Sequence, residues 1–107
     1  MSRNQIVLSG VVRNLQPIRH SPAGVPVLMF ELEHQSRQAE SDTARNVSVT
    51  MRVQAAGDLA QEIGRFSEGA EIVVKGFLTR SSQRSDIPVL HVNGYKLLRE
   101  VNHGTTH

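Results

Sequence analysis

The chain has no cysteine and no tryptophan, and only one tyrosine and three phenylalanines among its 107 residues. Without cysteine there is no disulfide, no thiol nucleophile and no Cys-ligated zinc, and the composition suits a reducing compartment. Long apolar runs are also missing. None approaches the roughly 20 residues that a membrane-spanning helix needs, and no apolar signal region follows Met1 to Gln5. A cytoplasmic protein with no membrane attachment is the expectation. Charge of one sign is scarce too, since 12 basic residues barely outnumber 10 acidic ones, for a net charge of +2. Bulk charge decides little here, so its distribution has to carry the argument.

What is present is a series of short β-branched segments. Ile6, Leu8, Gly10 and Val12 alternate with Val7, Ser9, Val11 and Arg13, so both faces of a first strand carry apolar side chains. Gly10 in mid-strand predicts a bulge or sharp bend, as a small barrel needs where a strand turns a corner. Three prolines and a glycine between Pro17 and Pro26 then interrupt regular structure. Val27 to His34 resumes the alternation. Gln35 to Arg45 has little to bury and reads as a mobile loop between hairpin arms. In Asn46 to Val53, Val47, Val49, Met51 and Val53 alternate with Ser48, Thr50 and Arg52, giving one core face and one wet face.

From Gly57 the period changes. Leu59, Ile63 and Phe66 form one stripe of a short helix, with Asp58 as its expected N-cap. Two further strands, Ile72 to Leu78 and Val89 to Leu98, flank a segment without apolar residues between Thr79 and Ile87, which reads as a long hairpin with a basic polar tip. Asn102 to His107 has no apolar anchor, and 101–107 is expected to be a frayed tail on a 4–100 folded core.

The expected fold is all-β: residues 1–107 as a single domain, a five-stranded Greek-key barrel of the oligonucleotide/oligosaccharide-binding (OB) type with one short helix between strands 3 and 4. An SH3-like barrel or small sandwich is the rival, and the helix position favours the former. Val47, Val49, Met51, Val53, Ile72, Val74, Leu78, Leu90 and Val92 are the expected inward residues.

Several segments resemble a known family. Leu8-Ser9-Gly10, Ser21 to Pro26 (Ser-Pro-Ala-Gly-Val-Pro), Phe30-Glu31-Leu32-Glu33-His34, Val74-Lys75-Gly76-Phe77-Leu78 and Val89-Leu90-His91 look like the primosomal replication protein N family, relatives of single-stranded-DNA-binding protein. The resemblance runs from about Asn4 to Leu98. It implies a homodimer of OB folds, with single-stranded DNA, the restart helicase and the helicase-loading protein of the primosome as partners. It also implies DNA contacts from basic residues on the hairpin loop, where Arg80 and Arg84 match in kind, and from an aromatic on the third strand. There this chain departs from the pattern, with Ser48 and Thr50 on the wet face.

Arg13, Arg52, Lys75, Arg80 and Arg84 are therefore the candidate phosphate contacts and Phe77 the candidate stacking residue, with binding expected to be mainly electrostatic. Val7, Val11 and Leu15 fall opposite the core face of the first strand and are the candidate dimer interface. His20, His34 and His91 are dispersed, no carboxylates sit at ligand spacing, and Ser81-Ser82 has no base nearby, so no enzyme, metal or cofactor is expected. A protein-interaction module of the same fold with weak nucleic-acid affinity, and an RNA-binding OB fold, remain open beside the DNA reading.

Overall fold

In the computed structural model, residues 2–101 are described, and the expected fraying of 102–107 lies outside them. The elements are β1 (Ile6–Arg13), β2 (Arg19–His20), β3 (Pro26–Glu40), β4 (Thr43–Ala56), α1 (Asp58–Ile63), β5 (Glu71–Ser82) and β6 (Ser85–Arg99). Five long strands close on themselves. β1 pairs with β5 along Ile6 to Val11 and with β3 along Val11 to Arg13, while β3 pairs with β4, β4 with β6 in parallel, and β6 with β5. With the helix between β4 and β5, this is the five-stranded OB barrel. The two-residue β2 is an addition, laid on the edge of β3 at Val27 and Pro26.

Register decides which residues face inward, because side chains directly opposite on neighbouring strands share a face. Leu78, Leu90, Val53 and Phe30 form one such inward row across β5, β6, β4 and β3. Leu90, Val53 and Phe30 are buried, and Leu78 packs against the same core. Val12, Leu28, Leu32, Ile72 and Val74 complete the barrel, and Ala60 and Ile63 of the helix close one end.

Two glycines let the barrel close. A side chain at Gly10 would strike the carbonyl oxygen of Glu33 and come within 2.9 Å of Leu32 Cγ, so β1 and β3 meet at a point that only glycine allows. The bend expected there is present. A side chain at Gly76 would likewise collide with the backbone of His91, at a register shift where Lys75 faces Gly94 and Gly76 faces Val92.

Several expectations are corrected. Gln35 to Arg45 is strand, not mobile loop: β3 and β4 stay paired to Glu40 and Thr43, joined by Ser41 and Asp42 at φ 49° and 64°. Positive φ at both central residues is what a two-residue hairpin turn requires, and Asp is among the residues that adopt it most readily. Similarly, β5 and β6 remain paired to Ser82 and Ser85, leaving only Gln83 and Arg84 as the tip. Residues 34–49 and 80–88 therefore pair only within their own hairpins and form two arms beyond the barrel. For this reason Val47 is only half-buried and Val49 is 39% exposed, although both face the core side. The helix starts at Asp58 itself, and Gly57 occupies the N-cap with no side-chain bond.

Candidate nucleic-acid interface

The outer surface of the barrel is built by the residues that alternate with the core. One outward row runs Phe77, His91, Gln54, Met29 across β5, β6, β4 and β3, and the next runs Thr79, Val89, Arg52, Glu31, Arg13 onto β1, with Val89 itself buried beneath its neighbours. Arg52, Phe77 and Arg13 thus share one face. Lys75 joins them, two residues before Phe77 and opposite Val7 and Gly94. Phe77 is 40% exposed, and its ring stacks on that of His91 with centroids 5.3 Å apart and planes 26° from parallel.

Acidic residues temper this surface. Arg13 Nε lies 3.3 Å from Glu33 Oε1, with both side chains about half exposed, and Glu31 stands in register between Arg13 and Arg52. Arg80 sits on the β5–β6 arm with Nη1 3.9 Å from Asp86 Oδ1. Arg84 is at the arm's tip, its backbone N–H donating to Ser82 Oγ at 3.2 Å. The structure therefore divides the candidate cations into Arg13, Arg52 and Lys75 on the barrel face and Arg80 and Arg84 on the arm. Exposed ion pairs of this kind are weak, so the paired arginines can still exchange a carboxylate for a phosphate.

Beside the charged row, Asn14, Gln16, Met29, Phe30, Glu31 and Arg52 line a shallow depression of about 230 Å³. The loop after β1 shapes it: Asn14 has φ 51°, and the Gln16 side-chain amide donates to the Asn14 backbone and side-chain oxygens at 3.1 and 2.9 Å. Open, shallow relief, here with Arg52 and Glu31 both on its lining, fits an extended ligand better than an enclosed small molecule. Among the described residues no three His, Asp or Glu side chains gather into a metal-holding group.

On β1, Val7 is 64% exposed and Val11 is half-buried, on the outer face as expected. Leu15 is different, because it packs against the core from the loop. β1 is also no simple edge strand. One side pairs with β5 from Ile6 to Val11, whereas on the other Val11 to Arg13 pair with β3, Gly10 abuts the Glu33 backbone and the Ser9 carbonyl meets His34, leaving Ile6 to Leu8 open among the described residues.

His91, Gln54 and Met29 were not among the candidate nucleic-acid contacts drawn from the sequence. The signal that places His91 beside Phe77 is cross-strand register, which depends on the bulge opposite Gly76 and cannot be counted along the chain.

Comparison with known proteins agrees with this geometry. A family model described as "another single-strand binding protein family" matches residues 4–94. The chain is 30% identical over 98 residues to replication restart protein PriB of Nitrosomonas europaea, covering 92% of this chain and 91% of that one. It superposes on the solved PriB of Ralstonia solanacearum with a TM-score of 0.80 at 26% identity, over 91% of this chain and 100% of that one. A small single-stranded DNA-binding protein from Streptomyces coelicolor, at 20% identity and a TM-score of 0.71 over 92% and 95% of the two chains, shares the fold.

Proposed function

The chain belongs to the replication restart protein PriB family, and on that premise we propose that it is a single-stranded-DNA-binding accessory protein of the bacterial replication restart primosome. The family is one of binding proteins rather than enzymes. The observation that carries the DNA reading is the outer barrel face, where Arg52 and Lys75 stand on either side of an exposed aromatic on a barrel shared with single-strand binders. Arg80 and Arg84 extend that surface along the β5–β6 arm. In the cytoplasm the protein would bridge the restart helicase and the helicase-loading factor on DNA.

A homodimer is the working unit in this reading. The open side of β1 between Ile6 and Leu8, with Val7 exposed beside it, offers unpaired backbone groups and apolar surface to the same strand of a second copy. Val7 and Val11 are its interface residues, and Leu15, held by the core, is not. Two copies side by side would join their arms into a longer DNA path and raise avidity. The carboxylates beside Arg13 and Arg80 favour modest affinity per barrel, so the dimer matters more than any single contact.

Two measurements test this reading. Light scattering at micromolar concentration should give a dimer mass that Val7→Glu reduces to a monomer; a wild-type monomer contradicts the dimer. Gel filtration of the chain with a single-stranded oligonucleotide and the restart helicase should give a ternary complex, and helicase excluded from the DNA-bound protein contradicts bridging.

A further inference from the structure

We propose that Phe77 and His91 together form a nucleobase-stacking platform, with Gln54 and Met29 extending its floor toward β3. The inference rests on the reading that this face binds single-stranded DNA, and it assigns the part of the face that holds a base. Phe77 and His91 lie in register on neighbouring strands with their rings stacked at 5.3 Å, so a base that meets the open face of either ring joins a stack already two rings deep. Gln54 is the next residue in the row and Met29 the one after, each partly buried. At about 4.8 Å between strands the four residues span roughly 14 Å, and none of them is a carboxylate.

The neighbours on either side complete the arrangement. Arg52 stands two residues before Gln54 on the outer face of β4, and Lys75 two residues before Phe77 on the outer face of β5. A base laid against a ring pair flanked by two cations has its stacking partner and its phosphate partners in adjacent rows. This is the combination that sequence-tolerant single-strand binding uses. The platform also relocates the aromatic contact: it stands on β5 and β6, whereas the corresponding face of β4 carries Ser48 and Thr50. Gln54, with both a donor and an acceptor in its amide, is placed to meet the edge of the stacked base.

The test separates bases from phosphates. Binding of a short oligothymidine is compared with that of an abasic oligomer of the same length and charge, for wild type, Phe77→Ala, His91→Ala and His91→Tyr. Wild type should prefer the base-bearing strand on the order of ten-fold, the size expected for one stacked base. Phe77→Ala and His91→Ala should each remove most of that preference while leaving the salt dependence unchanged, and His91→Tyr, which keeps a ring, should retain it. Folding is checked by circular dichroism, and because His91→Tyr replaces one ring with another rather than removing it, it stays informative if His91→Ala is unstable. A preference that survives both alanine variants overturns the platform. Salt-dependent binding by wild type with no preference for bases also overturns it but leaves the DNA reading standing. No binding of either strand by wild type defeats both.

Discussion

His34 on β3 and Ser9 on β1 are joined across the barrel's seam: the imidazole Nδ1 lies 2.7 Å from the Ser9 carbonyl oxygen, and Nε2 lies 2.8 Å from Ser36 Oγ. A carbonyl can only accept, so Nδ1 carries the proton in this contact. It stands just beyond the last β1–β3 pair, Val11 with Glu33, and serves the strand where backbone pairing has stopped. His34→Ala should therefore lower stability by about 1 kcal/mol, the usual size of one partly buried hydrogen bond. Urea unfolding checks this, and an unchanged midpoint would mean that the seam does not depend on the ring.

Gly76 is held to a stricter requirement. Because any side chain there meets the His91 backbone, Gly76→Ala must either push β6 away from β5 or abandon the bulge. A loss of about 2 kcal/mol or more is expected, and failure to accumulate folded protein agrees with it. Gly24 offers the comparison. It has a φ of 85° but open space around it, so Gly24→Ala should cost only about 1 kcal/mol of backbone strain. Equal thermal midpoints for the two variants would contradict the close approach.

Much of the fold was legible in the sequence because period-two alternation reports a face directly. The inward assignments of Met51, Val53, Ile72, Val74, Leu78, Leu90 and Val92 agree with the core, as do the glycine bend in β1 and the helix between β4 and β5. Depth was not legible. Val49 and Val53 obey the same alternation, yet Val53 is fully buried and Val49 lies on the arm, because alternation does not tell where the barrel ends. Val53→Ala should therefore cost about 2 to 3 kcal/mol and Val49→Ala less than about 1. The turn at Ser41-Asp42 was missed for a related reason: its polar flanks look like loop, although they pair with each other all the way to the tip. The cations of the candidate site were visible as residue types, but their sorting into face and arm required the register.

Tyr95 gives a pH-dependent test. Its hydroxyl donates to Glu62 Oε1 at 2.8 Å, and that bond, with partial burial and the nearby negative charge, raises the phenol above its ordinary 10.0. A raised folded value means that the contribution is fully present below about pH 10 and is lost as pH rises through the folded value. As the chain's only tyrosine, it can be followed by phenolate absorbance. The midpoint should lie higher in folded protein than in urea and return toward the unfolded value in Glu62→Gln. Identical midpoints in both states would contradict the bond.

The central claim, that the barrel face and the β5–β6 arm bind single-stranded DNA through its phosphates, is tested most directly by the salt dependence of binding. Anisotropy titrations of a labelled oligothymidine across a series of salt concentrations should give log K falling steeply and linearly with log salt. Arg80→Ala with Arg84→Ala should flatten that slope by about one unit or somewhat more, since each arginine meets at most roughly one phosphate. An unchanged slope in the double variant would remove the arm from the interface, and a wild-type affinity indifferent to salt would contradict the account as a whole.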